Sequence, residues 1–257
     1  MGCNSTMKDF GLVGDDYRSY SEGIRGRLRH DLVFKQIQQR LGERGRVLDI
    51  GCGDGEMSLR LAGEGYEVTA VDPSEEMLNR LRSRSSVLSH AAKARLKLHQ
   101  SDLDNFEPKE TYDCVCCHGV LLYLTSSEVA VNRLCDFVSR GGVLSILTKN
   151  RLSTGVREAL QGKHEEALRL ILSQSASSEG NLGIVTRGDD PTELSQLLQT
   201  RGFTAEWYGI RLFVDHLKSE SESPVNYSAL FELESAVSSR TPYRELARLV
   251  HILGTAT

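Results

Sequence analysis

Short apolar runs alternate with stretches of helical periodicity along the chain. The first run, Val47 to Ile50, contains β-branched residues and predicts a buried strand. Such alternation predicts an α/β fold whose sheet is mostly parallel and carries helices on both faces. Six further strands are predicted at residues 66–71, 96–100, 112–117, 143–148, 203–209 and 249–254, with helical segments between them.

A glycine-rich turn follows the first predicted strand and leads into a helix. Gly51, Gly53 and Gly55 alternate with other residues, and the stretch 56–62 reads as helical. Glycine permits positive backbone φ angles and lets the backbone approach a ligand closely. The first turn of the following helix adds unpaired N–H donors. The turn therefore predicts a ligand site at the carboxyl end of the first strand.

An acid stands at the end of the second predicted strand. Asp72 lies about 20 residues beyond the glycines, where a carboxylate can accept hydrogen bonds from both hydroxyls of an adenosine ribose. Asp49 precedes the first glycine, so that the spacing is Asp-x-Gly-x-Gly-x-Gly. This spacing resembles the first motif of the S-adenosylmethionine-dependent methyltransferases with a Rossmann-like fold. The alternatives are an NAD enzyme and a structural turn that binds no ligand.

The resemblance implies a fold and a cofactor. The fold would be a Rossmann-like sheet of seven strands, in which strand seven is antiparallel and forms a hairpin with strand six. The cofactor would be S-adenosylmethionine, with S-adenosylhomocysteine as the product, and no metal is implied. After the third strand, Asp102 is the better candidate to bind the adenine amino group and Asp104 is the alternative.

Composition narrows the class of protein further. The chain has 257 residues, 39% hydrophobic and 26% charged, which is ordinary for a globular protein. Its net charge of −4 gives no general attraction to nucleic acid, so DNA is not expected as a partner and RNA would need a local basic patch. No apolar run approaches the ~20 residues that cross a bilayer, and no signal segment is visible, which favours a cytoplasmic protein. The six cysteines lack zinc spacing, and we expect Cys114, Cys116 and Cys117 to be buried in the fourth strand.

A single methyltransferase domain is expected over residues 17–257. Residues 17–44 predict a helical lid over the cofactor, and residues 151–190 predict an insertion without a sheet element that covers the substrate. Within that insertion, residues 156–172 read as one amphipathic stretch. Residues 1–16 are predicted to be disordered. Their start, Met1-Gly2-Cys3, fits a myristoylation pattern, although a disordered start is the simpler interpretation.

A narrower resemblance extends over nearly the whole chain. It departs from the family at Cys52, at Leu122-Tyr123, where an acid is missing, and at residues 173–183, where a lysine-rich stretch is replaced. The family it resembles, the bacterial tRNA 5-carboxymethoxyuridine methyltransferases, esterifies the carboxylate on a modified wobble uridine. The resemblance therefore implies tRNA modification by carboxyl methylation. It is carried by His118-Gly119-Val120-Leu121, Gly209-Ile210-Arg211-Leu212-Phe213-Val214-Asp215 and Leu230-Phe231-Glu232-Leu233-Glu234.

The two resemblances together imply cofactor contacts at the carboxyl ends of the first four strands. Ligands bind at this edge of a parallel sheet, which puts His118 near the methyl group and Met77 against the adenine. The expected contacts are Arg29, Asp49, Gly51, Cys52, Gly53, Gly55, Asp72, Pro73, Met77, Ser101, Asp102, Leu103 and His118.

A carboxylate acceptor suits the polar residues at the mouth of the sheet. A carboxylate is ionised at neutral pH, so it needs placement and loss of water rather than a general base. An arginine can hold it by two parallel hydrogen bonds, and Arg187 and Arg211 are the candidates. The orienting donors would be Asn150 and either Tyr208 or Tyr123.

Alternatives remain open for two residues and for the function. Arg211 could instead pair with Asp215, and His118 either contacts the cofactor alone or acts as a general base. A small carboxylic acid of secondary metabolism is the alternative acceptor, which the acidic chain favours. Methylation of a hydroxyl or amine would require His118 as the base. The non-enzymatic alternative is a module that binds the cofactor without catalysis.

Overall fold

A large sheet and a two-stranded ribbon contain the strands of the computed structural model, which describes residues 23–173, 177–179, 185–217 and 226–257. The disorder and lipidation considered for residues 1–16 lie outside these ranges. In chain order the strands are β1 (Arg46–Ile50), β2 (Glu67–Asp72), β3 (Leu96–Gln100), β4 (Tyr112–His118), β5 (Val138–Lys149), β6 (Ser177–Glu179), β7 (Val185–Arg187), β8 (Phe203–Ile210) and β9 (Leu249–Ala256).

The large sheet has seven strands in the order β3–β2–β1–β4–β5–β9–β8. β1 to β5 are parallel, whereas β9 is antiparallel to both of its neighbours. The predicted Rossmann-like sheet, with its antiparallel last strand and closing hairpin, is therefore confirmed. The strand order reverses between β1 and β4, and this is the position at which open parallel sheets bind ligands outside their carboxyl ends.

Helices pack on both faces of the sheet. On one face an apolar core joins Leu32 of the first helix and Leu61 of the second to β1, β4 and β5. On the other face a second core joins Leu134 and Leu198 to the same strands. In chain order the helices are α1 (Ile24–Gln38), α2 (Glu56–Gly63), α3 (Glu75–Arg84), α4 (His90–Ala94), α5 (Ser127–Asp136), α6 (Val156–Leu160), α7 (His164–Leu172), α8 (Pro191–Thr200), α9 (Tyr227–Val237) and α10 (Tyr243–Leu246).

The cysteines of β4 are buried, as the sequence predicts. Successive strand residues point to opposite faces, so Cys114 and Cys116 pack in the core under α1 and Cys117 packs in the core under α5. All three are 0% exposed, and burial raises the pKa of the Cys117 thiol. They act as small apolar groups rather than as reactive thiols.

The predicted start of the fifth strand is wrong by five residues. β5 begins at Val138 instead of residue 143, because Gly141 lies within the strand at a bulge and does not interrupt it. The pairing register shows the bulge, since Tyr112 pairs with Val138 but Cys114 pairs with Val143.

The segment between β5 and α8 also differs from the prediction. Residues 156–172 form two helices, α6 and α7, because the chain adopts a φ of 78° at Gly162 between them. No sheet element was expected in residues 151–190, but β6 and β7 form an antiparallel ribbon there, with Ser177 opposite Arg187. The ribbon is separate from the large sheet.

Hydrogen bonds fix α1 against its neighbours. Asp31 accepts a hydrogen bond from Arg60 of α2 at 2.6 Å and another from the hydroxyl of Tyr227 on α9. Nearer the start of α1, Arg25 Nε donates to the carbonyl of Val214, which follows β8, at 3.3 Å. The first turns of α1 therefore lie at the carboxyl edge of the sheet.

A left-handed residue directly follows β8. Arg211 has a φ of 66°, a conformation that costs a side-chain-bearing residue about 1–3 kcal/mol. The carboxylate of Glu234 on α9 accepts hydrogen bonds from the backbone N–H groups of Leu212 and Phe213 at 2.8–3.1 Å. Because Glu234 is only 1% exposed, these bonds also keep its carboxylate satisfied.

We expect Glu234→Ala to lower the free energy of unfolding by about 1–3 kcal/mol, since it leaves two partly buried N–H groups without their acceptor. Glu234→Gln should lower it less, because the amide oxygen still accepts. Urea unfolding followed by circular dichroism measures both effects. Glu232→Ala, at an exposed position of the same helix, is the matched control. Equal stability of the two alanine variants would contradict the role of Glu234.

Candidate active site

The glycine turn after β1 has the geometry that the sequence predicts. Gly51, Gly53 and Gly55 have φ values of 69°, 55° and 86°. A Cβ atom added at Gly51 would lie 2.2 Å from Val120 Cγ2, and one at Gly55 would lie 2.0 Å from Leu81 Cδ1. Glycine is therefore required both by the backbone angles and by close packing.

Asp72 ties this glycine turn to the end of β2. Its Oδ2 atom accepts a hydrogen bond from Gly53 N at 2.8 Å and its Oδ1 atom accepts one from Ser74 N at 2.9 Å. The side chain is buried, and burial raises the pKa of the carboxyl group. Because each carboxylate oxygen has two lone pairs, Asp72 can still accept the two ribose hydroxyls of a nucleoside.

Asp49 faces the protein interior beneath the same turn. It is 2% exposed and accepts a hydrogen bond from Ser58 Oγ of α2 at 2.6 Å. Burial, opposed by this hydrogen bond and reinforced by the nearby Asp72, raises the pKa of Asp49 to about 6. The contact that the structure gives Asp49 therefore holds α2 against β1.

The remaining candidates on the cofactor side surround the ends of β2 and β3. Ser101 N donates to the carbonyl of Asp72 at 3.2 Å, so the two strand ends adjoin. Asp102 accepts hydrogen bonds from the backbone and side chain of Asn105 at 2.8 and 2.7 Å, and Asp104 is exposed. Met77 is buried in the first turn of α3, where Ser74 caps the helix as predicted. Pro73, Cys52 and Leu103 lie in the loops between these residues.

Arg29 and His118 lie together between the glycine turn and β5. His118 ends β4, and burial, with a smaller contribution from the charge of Arg29, lowers its pKa to about 3. The Arg29 guanidinium also contacts His30, at 2.7 Å from Nη2 to Nε2, and its charge acts on Asp54 of the turn. These contacts put Arg29 beside both the turn and His118.

A chain of hydrogen bonds extends from the half-buried His118 into the core and across the sheet. His118 Nε2 lies 2.8 Å from Ser145 Oγ, and the same oxygen lies 2.8 Å from His251 Nε2. His251 Nδ1 lies 2.6 Å from Gln36 Oε1 of α1 and must carry the proton, since that oxygen can only accept. Ser145 then donates to His251 Nε2 and accepts from His118 Nε2. The sequence analysis assigned no role to Ser145, His251 or Gln36, although polar residues within apolar strands were the available signal.

The arginines proposed to clamp an acceptor have carboxylate partners. Arg211 is 1% exposed and pairs with Asp215 at 2.9 Å, which is the ion pair considered as its alternative role. Arg187 pairs with Asp189 at 2.9 Å, and Asp189 also accepts hydrogen bonds from Ser127 and Thr148. Both guanidinium groups are thus held in fixed positions on the β5 side of the carboxyl edge.

The proposed orienting donors bind protein groups. Asn150 is 1% exposed, and its side-chain nitrogen donates to the carbonyls of Ala247 and Glu245 at 2.9 and 3.0 Å. Its oxygen accepts from Leu152 N at 3.0 Å. The hydroxyl of Tyr208 donates to Glu206 at 3.0 Å, toward the amino end of β8 and away from His118. Tyr123, the third proposed donor, lies in the 3₁₀ turn Leu121–Tyr123 just beyond β4.

Further charged residues gather where β5 ends and β9 begins, and the sequence analysis missed most of them. Lys149, the last residue of β5, donates to Thr186 at 3.1 Å; burial and then the charge of Arg248 lower its pKa to about 8. Arg248 immediately precedes β9, and its backbone N–H donates to the carbonyl of Arg211 at 3.0 Å. We call this group the β5–β9 charge cluster; it contains Lys149, Arg157, Glu158, Arg211, Asp215 and Arg248.

Comparison with known proteins identifies the class. A family model described as a methyltransferase domain matches residues 20–207, and the chain belongs to this family. Among characterised relatives, the chain is 24% identical over 234 residues to the tRNA 5-carboxymethoxyuridine methyltransferase of Escherichia coli O157:H7, covering 89% of this chain and 88% of that protein. It is 30% identical over 171 residues to a putative methyltransferase of Geobacillus sp. (strain WCH70), covering 62% of this chain and 67% of that protein.

Solved structures share the whole fold. Magnesium protoporphyrin IX methyltransferase from Synechocystis PCC 6803, with bound S-adenosylhomocysteine, matches with a TM-score of 0.63 at 16% identity over 98% of this chain and 97% of that one. The N-methyltransferase NodS from Bradyrhizobium japonicum WM9, also with S-adenosylhomocysteine, matches with a TM-score of 0.63 at 15% identity over 98% and 99% of the two chains. The protein is an S-adenosylmethionine-dependent methyltransferase, and the fold alone leaves its acceptor open.

A membrane-spanning helix and a cluster of metal ligands are both absent from the described residues. No helix among them is both long and apolar enough to cross a membrane. No group of three or more metal-ligating side chains comes together among them either.

We expect Asp72→Asn to weaken S-adenosylmethionine binding about 10- to 100-fold, because one charged acceptor of the ribose hydroxyls is lost. Isothermal titration calorimetry measures the affinity, and thermal melting checks the fold. Glu67→Gln, at an exposed acid at the amino end of the same strand, is the control and should bind like the parent. Unchanged affinity in Asp72→Asn would contradict the proposed ribose contact.

The raised pKa of Asp49 predicts a pH-dependent contribution to stability. The folded protein retains this proton to a higher pH than the unfolded chain, so the contribution is present below about pH 4 and is lost as the pH rises through about 6. As the pH rises between these two values, the free energy of unfolding of the parent should therefore fall by about 2–3 kcal/mol relative to that of Asp49→Asn. Urea unfolding of both proteins from pH 3.5 to 7.5 measures it, and parallel curves would contradict the assignment.

Proposed function

We propose that the enzyme transfers the methyl group to a carboxylate and forms a methyl ester, with the carboxymethoxyuridine of tRNA as the acceptor. The similarity to a tRNA 5-carboxymethoxyuridine methyltransferase over 89% of this chain supports both the reaction and the acceptor. The residues at the carboxyl edge of the sheet support the reaction independently.

The environment of His118 carries the proposal. A general base works best when its pKa is near the operating pH, whereas burial lowers the pKa of His118 to about 3. Its Nε2 atom is also engaged with Ser145. His118 is therefore poorly suited to remove a proton from a hydroxyl or amine. A carboxylate is already ionised at neutral pH and needs no base.

Cations on the acceptor side also favour an anion. Arg187 and Arg211 lie at the β5 side of the edge, and Lys149 and Arg248 lie between them in the fold. A carboxylate entering this region exchanges water for fixed donors, which aligns it and strengthens the electrostatic interactions. Arg187 and Arg211 are each paired with a carboxylate, so the excess positive charge of this region comes from Lys149, Arg157 and Arg248 against the single carboxylate of Glu158.

The chemistry requires no proton transfer by the protein. S-Adenosylmethionine, when bound, supplies an electrophilic methyl group whose sulfur is the leaving group. The methyl carbon would pass to a carboxylate oxygen of the acceptor, with the electron pair of the broken carbon–sulfur bond left on sulfur. The contribution of this chain is to hold the ribose at Asp72, to keep Arg29 and His118 beside the methyl end, and to exclude water.

A small carboxylic acid is the second candidate acceptor. The chain has a net charge of −4, and residues 173–183 contain no lysine where the resembled family has a lysine-rich stretch. Both features weaken attraction to RNA phosphates without affecting the methyl-transfer chemistry.

Methyl-labelled S-adenosylmethionine distinguishes these acceptors. The purified enzyme is given total tRNA in one reaction and a small-molecule extract in another, and the products are then treated with mild base. Label released from tRNA as methanol would support the proposal, with methylation that weakens steeply as salt is raised. Base-labile label found only in the small-molecule fraction would mean that the acceptor is a small carboxylic acid instead of tRNA. Base-stable label would overturn carboxyl methylation.

We expect His118→Gln to lower kcat less than about tenfold, because removal of a working general base costs about 10²–10⁴-fold. The pH profile of kcat should show no rising limb between about pH 5 and 8 in the parent. His164→Gln, at an exposed histidine of α7, controls for nonspecific effects. A large loss of kcat together with such a limb would assign His118 as the base.

A further inference from the structure

A small cavity lies where the segments after β5 and β8 meet the segment before β9. Its volume is about 10 Å³, roughly the space of one water-sized group. The cavity also opens toward solvent, so a larger molecule could insert one small group and remain outside. Polar side chains from three separate segments line it, namely Ser153, Arg157, Arg211, Asp215, His216 and Arg248.

Arg248 lines this cavity with a guanidinium group that is only loosely paired. Its side chain is 11% exposed, and its ion pair with Glu158 spans 3.9 Å, which is longer than a hydrogen bond. Within the described residues no hydrogen bond to the five guanidinium N–H donors is found. Burial lowers the pKa of Arg248, although an arginine remains charged at neutral pH.

Two buried acceptors accompany this donor. Glu158 is 8% exposed and Asp215 is 4% exposed, and each has one carboxylate oxygen without a hydrogen-bond partner among the described residues. Buried polar atoms are nearly always satisfied in folded proteins. Asp215 lines the cavity together with Arg248, and Glu158 is connected to it through its ion pair with Arg248. An incompletely satisfied donor and acceptor at one cavity indicate a site built for a polar ligand rather than a region of ordinary packing.

The cavity belongs to the acceptor side of the sheet. The register aligns His118 with Leu147 of β5 and with His251 of β9 in one row. Lys149 lies two residues beyond that row, paired with Leu249, and Arg248 is the next residue. The cavity is therefore displaced from His118 toward the carboxyl edge, on the side away from Asp72 and the glycine turn.

We propose that this cavity binds one oxyanion of the methyl acceptor, held by two hydrogen bonds from Arg248. The assignment rests on the proposed function. Guanidinium groups bind carboxylate and phosphate alike through paired hydrogen bonds, and the cavity has room for one oxygen of such a group while the rest stays at its mouth. The oxyanion is either the carboxylate that is methylated or a phosphate next to the acceptor nucleoside. Asp215, which also lines the cavity, accepts a hydrogen bond from a donor that the acceptor carries beside the oxyanion.

Arg248→Gln and Arg248→Lys test the proposal in the full chain. Steady-state methylation is measured with tRNA and with the free carboxymethoxyuridine nucleoside, which has no phosphate. We expect Arg248→Gln to raise the acceptor KM about 10- to 100-fold, with the affinity for S-adenosylmethionine unchanged. Arg248→Lys keeps the positive charge but loses the paired N–H donors of the guanidinium, so its acceptor KM should lie between those of the parent and Arg248→Gln. Arg201→Gln, at an arginine paired with Asp136 near the opposite edge, is the control.

Comparison of tRNA with the phosphate-free nucleoside distinguishes the two sources of the oxyanion. A raised KM for both acceptors assigns the acceptor carboxylate to the cavity, and a raised KM for tRNA alone assigns a phosphate. Unchanged KM values in an active enzyme overturn the proposal. Should Arg248→Gln fail to fold, unchanged KM values in Arg248→Lys overturn it equally.

A parent enzyme that methylates neither acceptor would refute the proposed function instead. The cavity is then tested with inorganic phosphate alone, which should raise the melting temperature of the parent but not that of the Arg248 variants. Equal stabilisation of parent and variants would overturn the site independently of catalysis.

Discussion

Two hydrogen bonds to one carboxylate organise the carboxyl edge of the sheet. Asp72 holds Gly53 of the glycine turn and Ser74 at the start of α3, so two loops from neighbouring strands share one anchor. The glycines adopt conformations that the chain would otherwise leave readily, and the anchor fixes them. Because the turn adjoins the point where strand order reverses, its position determines where a nucleoside can lie relative to β4 and β5.

The two sides of this edge are built by different means. On the side of β1 and β2, short local loops present backbone N–H groups and one acid. On the side of β5, β8 and β9, residues from distant segments form the β5–β9 charge cluster. The left-handed turn at Arg211 is held there by Glu234 of a later helix. The first kind of construction suits a constant cofactor, and the second can change acceptor through a few substitutions.

This difference explains how far the sequence could be interpreted. Strand periodicity, the glycine turn and Asp72 are local signals, and the arrangement of the sheet came from the family resemblance that they carry. Arg211 and Asp215 lie one helical turn apart in sequence, so their ion pair could also be considered. Arg248, Glu158 and Glu234 gave no such signal, because they become neighbours of the acceptor side only through tertiary packing. The early start of β5 across Gly141 and the helix break at Gly162 were missed, because a glycine permits a bulge, a break or a turn equally well.

The position of α1 has a thermodynamic consequence. Its early residues contact both sides of the edge: the charge of Arg29 acts on His118 and Asp54, while Arg25 binds the chain that follows Arg211. Any ligand that orders this helix from one side lowers the entropy that must be lost when the other side is filled. Linkage is reciprocal, so the helix would let cofactor and acceptor strengthen each other's binding by the same factor. Loss of the methyl group would then weaken both interactions together and favour release of the two products.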